Sequence, residues 1–149
     1  MPHDQSLFRT PEDYELFLYT ITEQFPSIDS SSLAFIRRGA ALARVVGELY
    51  FAYDIRLVIR ERILYHRLPI VLDWYGYEVW QGGERLYWYD SQPHPNDPAL
   101  ASTHPHHKHV PPDAKHNRIP APNMSFLRPN LPALINEIEE LIKTLGNEA

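Results

Sequence analysis

The ten residues IRLVIRERIL (55–64) alternate between apolar and polar side chains, the pattern of a β-strand with one buried face. Their period is two, so the apolar residues share one side and most of the arginines lie on the other. Glu61 breaks the pattern, because it shares the apolar side with Ile59 and Ile63. A strand of this kind predicts a sheet that buries one face, and the flanking sequence indicates what covers it.

The same period of two extends over residues 33–90 and predicts four or five strands. The dipeptide YD (53–54) separates two extended runs, and QGGE (81–84) has the glycine content of a tight hairpin. Connections this short join antiparallel strands. We therefore expect a largely antiparallel sheet.

A helix is predicted on each side of the strand region. At residues 11–25 apolar side chains recur every three or four positions, and Thr10 is a suitable N-cap. Residues 130–145 show the same spacing, with Asn130 as the cap. This order predicts an α+β fold in a single domain spanning residues 1–149.

The composition excludes several kinds of site. The chain has 149 residues, of which 44% are hydrophobic and 22% charged, as in an ordinary globular protein. It has no cysteine, which excludes disulfides, thiolate zinc sites and cysteine nucleophiles. A net charge of −5 argues against a protein that coats nucleic acid. Because no signal peptide or membrane span is evident, we expect a cytoplasmic protein that does not contact a membrane.

Residues 91–127 contain eight of the fourteen prolines and six of the eight histidines. Proline removes amide donors, so we predict a long loop without regular structure. Loops of this length within a compact domain are usually functional or disordered. Its histidines make the loop the first place to look for chemistry, because imidazoles titrate near neutral pH.

Two carboxylates are candidates for acid–base catalysis. Glu61 is predicted to face the core, where burial raises the pKa of a carboxylate; an edge position or an ion pair with an arginine is the structural alternative. Asp90 ends a strand and is followed by His94. It could orient a histidine, cap the following amides in an Asx-turn, or do both.

The densest group of histidines lies in PHHKH (105–109). In an extended segment, His107 and His109 share one side and His106 points to the other. The i, i+2 spacing can place two imidazoles on one metal ion, with another loop histidine as a third ligand. The same residues can act as metal-free acid and base, or belong to a solvated polar loop.

The metal-free alternative has a definite chemical form. Cleavage of RNA through its own 2′-hydroxyl needs a base, an acid and positive charge near the phosphate. Histidines supply the first two, and Lys108 or an arginine supplies the third. Tyr77 and nearby aromatic residues could stack on bases, although aromatic residues in strands pack more often against other strands or in the core.

Five short motifs follow one another in a fixed order along the chain. They are GELYF (47–51), LVIRE (57–61), YGY (75–77), YDSQPHP (89–95) and PHHKH (105–109). Together they resemble the TumE-type family of small toxin-like proteins. The last motif is the most specific, and the resemblance covers most of the chain from about residue 43 to residue 109.

This resemblance implies a small bacterial α+β protein, a toxin of a type II toxin–antitoxin pair encoded beside its antitoxin. Two positions depart from the family pattern: Ser91 stands where asparagine is usual, and His94 is the one histidine before Pro95 where the family often has two. The positions that match the family motifs are Glu61, Tyr77, Asp90, His94, His106, His107 and His109.

We therefore predict a toxin-like, metal-independent endoribonuclease that uses no cofactor. The expected partners are a cognate antitoxin and RNA, and a homodimer is compatible with the sequence. The alternative is a non-catalytic module that binds protein or is stabilised by a metal. The predicted catalytic residues are Glu61, Asp90, His94, His106, His107 and His109, and the predicted substrate-binding residues are Tyr77 and Lys108.

Overall fold

The architecture is an antiparallel sheet with helices on one face, as the α+β prediction requires. The computed structural model describes residues 5–93, 96–101 and 103–148. The helices of these residues are α1 (Pro11–Tyr19), α2 (Ile21–Gln24) and α3 (Leu131–Glu148). Their strands are β1 (Ser30–Ser31), β2 (Ala34–Arg38), β3 (Leu42–Tyr50), β4 (Ile55–Leu64), β5 (Val71–Gln81), β6 (Glu84–Asp90), β7 (His107–His109) and β8 (Arg118–Pro120).

The strand order is β1-β3-β4-β5-β6-β7-β8, and β2 also pairs with β3. The alternation predicted for β4 is confirmed, since its five inward residues, Glu61 among them, are at most 1% exposed. Tyr53 and Asp54 turn the chain between β3 and β4 with φ angles of 61° and 59°. Gly82, with a φ of 56°, turns it between β5 and β6, because glycine adopts this conformation without strain.

The helix predicted for residues 11–25 forms as two segments. The Thr10 hydroxyl accepts a hydrogen bond from the Asp13 amide at 3.1 Å, which confirms the N-cap. The break falls at Thr20, whose hydroxyl donates to the Leu16 carbonyl at 2.8 Å, a side-chain bond that competes with the helical backbone. Phe25 is extended because proline follows it.

The last helix begins at Leu131 and continues to Glu148, three residues beyond its predicted end. The Asn130 carbonyl accepts the first helical hydrogen bond, from the Leu134 amide, but its side chain bonds Ser125 and Tyr77 rather than the helix. Among the described helices, none has the length and apolar character that a membrane crossing requires.

The prediction of four or five strands is wrong, because the described residues form eight. The additional strands, β1, β7 and β8, have only two or three residues each, too few for alternation to be visible in the sequence. The proline-rich loop predicted to be irregular contains two of them. Without β7, the edge of β6 would present unpaired backbone groups, and the loop returns to pair with them.

The two faces of the sheet have different chemistry. The inner face carries apolar side chains that pack in one core with α1 and α3. Alternation places five arginines on the outer face of β3, β4 and β6. These residues are Arg44, Arg56, Arg60, Arg62 and Arg85. The tryptophans Trp74, Trp80 and Trp88 lie on the same face of the sheet.

Candidate active site

One carboxylate and two histidines converge on the outer face where β6 meets β7. Asp90 pairs with His107 and Trp88 pairs with His109, so alternation directs Asp90 and both histidines to the same side. His107 Nε2 lies 2.7 Å from Asp90 Oδ1, and His109 Nε2 lies 3.2 Å from Asp90 Oδ2. The two Nε2 atoms are 3.2 Å apart. We call Asp90, His107 and His109 the outer cluster.

Both histidine rings of the outer cluster are oriented by hydrogen bonds from their Nδ1 atoms. The Nδ1–H of His107 donates to the Pro105 carbonyl at 3.0 Å, and the Nδ1–H of His109 donates to the Ala114 carbonyl at 2.7 Å. The His109 ring also stacks on Trp88. His107 is fully buried and His109 is 5% exposed, whereas the Asp90 side chain is 23% exposed. The cluster is therefore rigid and reaches solvent mainly through its carboxylate.

Asp90 forms the Asx-turn that the sequence left open and also lies beside two of the predicted histidines. Its Oδ1 accepts a hydrogen bond from the Gln92 amide at 3.1 Å, which is an Asx-turn, while both oxygens face the histidines. Burial alone would raise the pKa of Asp90, but the close contacts with His107 and His109 outweigh it and hold this pKa well below its usual range. The carboxylate is thus ionised in the folded protein.

Ser91, where the family usually has asparagine, fastens the end of β6 to β5. Its hydroxyl accepts a hydrogen bond from the Tyr75 amide at 3.0 Å, and its amide donates to the Tyr75 carbonyl at 3.3 Å. These bonds fix the backbone next to Asp90. The departure from the family pattern therefore leaves the outer cluster well supported.

Glu61 lies on the opposite, inner face, within a buried polar network. Its Oε1 accepts a hydrogen bond from the Tyr14 hydroxyl at 2.6 Å, and its Oε2 accepts one from the Tyr77 hydroxyl at 2.5 Å. The Tyr77 oxygen in turn accepts a bond from the Asn130 amide group at 3.1 Å. Burial raises the pKa of Glu61 to about 7, and the two tyrosine donors limit that rise. This carboxylate is not part of the outer cluster.

His106 points away from its two neighbours, as alternation predicts. Its ring lies parallel to Tyr75, with 5.6 Å between centroids, and its Nδ1 lies 2.5 Å from the Tyr75 hydroxyl oxygen. Phe126 packs against the same ring. Burial lowers the pKa of His106, and the nearby charges of Arg128 and of other histidines lower it further. Its contacts are those of a packed residue on the inner side.

The two predicted substrate-binding residues also point inward. Tyr77 is fully buried, so both faces of its ring are covered by protein. Lys108 lies with Nζ 3.4 Å from Glu137 Oε2 and 4.3 Å from the centre of the Tyr87 ring. Neither residue borders the outer cluster. His94, predicted as a catalytic residue, lies outside the described residues.

The five arginines of the outer face form a basic surface, which was not predicted from the sequence to be part of the site. Across neighbouring strands, Arg60 pairs with Gly76, Gly76 with Asp90, and Asp90 with His107. Strands in a sheet are about 4.8 Å apart, so Arg60 and Asp90 are separated by about 10 Å at the backbone. Gly76 has no side chain between them, and the Trp74 ring lies 3.5 Å from the position that a Cβ there would take. We call the surface over Gly76 the Gly76 bay.

Ion pairs and ring contacts order the arginines of this surface. Glu78 lies 3.0 Å from Arg60 and 3.7 Å from Arg85. The guanidinium of Arg85 lies 3.7 Å from the centre of the Trp88 ring, on which His109 also stacks. The basic surface is thus physically continuous with the outer cluster. The basic surface could have been predicted by comparing the polar positions of the alternating strands as well as their apolar positions.

A protein-family model described as Toxin TumE matches residues 18–142. The chain belongs to the TumE toxin family. The match to the TumE model contains every strand of the described residues, and with them the outer cluster and the arginines of the outer face. No curated protein and no solved structure matches the chain. The resemblance inferred from the motifs is therefore confirmed at the level of the TumE family.

Proposed function

We propose that this TumE-family toxin cleaves RNA at the outer cluster while its basic surface binds the phosphate backbone. One observation carries the proposal: the outer cluster and the arginines lie on the same face of one sheet, joined through Gly76. A phosphate in the bay would contact Arg60 on one side and face Asp90 on the other. The toxin family supports a target inside the cell that produces the protein.

The chemistry has three requirements, and this arrangement can meet each of them. The 2′-oxygen bonds to phosphorus and the bond from phosphorus to the 5′-oxygen breaks, which yields a 2′,3′-cyclic phosphate and a 5′-hydroxyl. The attacking hydroxyl must lose its proton, the leaving oxygen must gain one, and the developing charge must be stabilised. The outer cluster takes the proton from the attacking hydroxyl and passes a proton to the leaving 5′-oxygen, while the arginines stabilise the charge on the phosphate.

Two routes of activation are open to the outer cluster. The histidines take the proton themselves, which is the metal-independent mechanism predicted from the sequence. Alternatively, the cluster binds a cation that lowers the pKa of the attacking hydroxyl or of a bound water. Both routes use the same residues, and they differ in their response to chelators.

The charge distribution supports RNA as the ligand. The chain carries a net charge of −5, yet the outer face of β3, β4 and β6 has five arginines. Their ion-paired carboxylates are three: Glu48, Asp73 and Glu78. Arginine binds phosphate through paired donors, and tryptophan can stack on an unpaired base. Single-stranded RNA presents both groups to such a surface.

A cognate antitoxin is the second partner that we propose. Membership of a toxin family supports it, and a protein that covered the outer face would block both the basic surface and the outer cluster. Co-expression with the product of the neighbouring gene should then restore growth and yield a complex that no longer binds RNA.

The test measures cleavage of labelled RNA by the purified protein and two histidine variants. His109→Ala should lose about 100-fold or more of the activity, because it removes a cluster nitrogen. His116→Ala is the matched control: this loop histidine is exposed and pairs only with Asp113 among the described residues. Arg60→Ala should weaken RNA binding and lower the salt dependence by about one unit of slope.

Equal cleavage by His109→Ala and the unchanged protein would show that the outer cluster is not the reacting centre. If no RNA is cleaved and expression does not arrest growth, the alternative of a non-catalytic binding module is the better description. Cleavage products with 2′,3′-cyclic phosphate ends identify attack by the 2′-hydroxyl.

A further inference from the structure

The tautomers of the two cluster histidines follow from their hydrogen bonds. A carbonyl oxygen can only accept, so the contacts to Pro105 and Ala114 require a proton on each Nδ1. In the neutral imidazole the other nitrogen then presents a lone pair. Both lone pairs point toward the Asp90 carboxylate, and the two Nε2 atoms approach to 3.2 Å.

Such a convergence of lone pairs and negative charge needs positive charge between the groups. Protonating both imidazoles would place two cations side by side against one carboxylate, in a place where the rings are at most 5% exposed. Burying charge without full compensation is strongly unfavourable. A single divalent cation satisfies all three groups at once and removes the repulsion between the lone pairs.

Two of the three distances between the ligand atoms suit a small transition-metal ion. Bonds of about 2.0–2.1 Å in a tetrahedron place neighbouring ligand atoms about 3.3–3.4 Å apart. The Nε2–Nε2 distance and the distance from His109 Nε2 to Asp90 are both 3.2 Å, and that from His107 Nε2 to Asp90 is 2.7 Å. One ligand atom from each of the three residues lies within 4.8 Å of the others.

The hydrogen bonds around Asp90, His107 and His109 are those typical of metal ligands. Histidine ligands generally donate their second ring N–H to a carbonyl or carboxylate, which fixes the ring and increases its basicity. Both cluster histidines do so, and the carboxylate is itself oriented by the Gln92 amide. The ligands stand on paired strands rather than on a free loop. Two imidazoles and one carboxylate also leave a coordination position for water or substrate.

We propose that Asp90, His107 and His109 bind one divalent transition-metal ion, with Zn²⁺ the best match to their donor atoms and spacing. Three protein ligands would leave a fourth coordination position for a water or a phosphate oxygen. That the ion serves RNA cleavage rests on the proposed function, whereas its binding does not. The inference replaces metal-free catalysis by a metal-assisted route at the same residues.

The test is a titration of chelator-treated protein with Zn²⁺ alone, in competition with a chromophoric chelator. We expect one ion per chain and a rise in melting temperature of about 5 °C or more at saturation. Asp90→Asn nearly preserves shape and removes the charged ligand, so its affinity should fall by about 100-fold or more. His116→Ala should bind like the unchanged protein.

A second measurement needs no variant and therefore does not depend on the folding of one. Co²⁺ added to the unchanged protein should give the intense visible absorption of a tetrahedral site, and Zn²⁺ should displace it. Weak, non-stoichiometric Zn²⁺ binding that Asp90→Asn leaves unaltered would overturn the inference, as would octahedral Co²⁺ spectra alone.

The two proposals fail separately. Stoichiometric Zn²⁺ binding without RNA cleavage supports the metal site and contradicts the proposed function. Cleavage that continues in excess chelator, together with no specific Zn²⁺ binding, supports the proposed function and overturns the metal site.

Discussion

Glu61 and Asp90 are two carboxylates on opposite faces of the same sheet, and their hydrogen-bonding partners differ. Glu61 lies on the inner face, where hydroxyl groups donate to both of its oxygens. Asp90 lies on the outer face beside two imidazoles whose Nδ1–H groups donate elsewhere. Burial raises the pKa of Glu61 to about 7, whereas the histidine contacts lower that of Asp90 despite its burial.

The difference shows that burial by itself does not identify a functional carboxylate. Glu61 is the more buried of the two and would attract attention on that ground alone. Its partners, however, already satisfy both oxygens and are themselves enclosed in the core. Asp90 retains a side chain that is 23% exposed and stands next to a basic surface. Partner chemistry and access therefore separate the carboxylate that we expect to be structural from the one that we propose to be catalytic.

The largest expected effect compares near-isosteric changes at the two carboxylates. Asp90→Asn should relieve growth arrest and lower RNA cleavage by about 1,000-fold, because it removes a charged group from the reacting centre. Glu61→Gln should leave cleavage within about threefold, since its carboxylate does not border the bay. Colony counts after induction and initial cleavage rates measure both. Toxicity lost in Glu61→Gln but kept in Asp90→Asn would reverse the comparison.

The second prediction concerns stability, for which we expect a substitution at Glu61 to have a larger effect than one at Asp90. Glu61→Ala should lower the free energy of unfolding by about 3–4 kcal/mol, because it leaves the Tyr14 and Tyr77 hydroxyls without an acceptor and opens a cavity. Asp90→Ala, at a partly exposed position, should lower it by about 1 kcal/mol. Urea unfolding of chelator-treated proteins provides both values. Equal losses would mean that the inner network is not a structural element.

The third effect follows from the raised pKa of Glu61. In the folded protein this pKa is about 7, against a reference value of 4.5, so the folded state holds the proton more tightly. Its contribution to stability is fully present below pH 4.5 and is lost as pH rises through about 7. The free energy of unfolding should fall by about 3 kcal/mol over this window.

Glu61→Gln supplies the control for the pH dependence, because it cannot titrate. The difference in unfolding free energy between the unchanged protein and this variant should change across the window, while other groups cancel. A difference that stays constant from pH 4.5 to pH 7 would show that burial does not perturb Glu61 as described.

Much of the fold was predictable because its signals are local. The hairpin at Gly82, the N-cap at Thr10 and the inward position of Glu61 each depend on a few neighbouring residues, and the structure confirms them. The break at Thr20 was missed, because a threonine hydroxyl interrupts a helix only in some contexts. The short strands of the proline-rich loop were missed because three residues carry no period.

The candidate site was likewise predictable only in part. The opposite directions of His106 and its two neighbours were predicted from alternation alone. The inward contacts of Lys108 and Tyr77 were not, because they depend on which face α3 covers. The basic surface was also overlooked, since its arginines come from three strands and meet only when the strands are in register.

The sequence by itself determined the periods of the strands and helices, the side on which each residue of a strand lies, and the TumE family. Only the tertiary structure decided that β7 pairs with β6, which places Asp90 opposite His107 across an intervening segment of 16 residues. The physical reason is range. Alternation is set by the covalent geometry of one strand, whereas strand pairing depends on hydrogen bonds and burial gathered from distant parts of the chain.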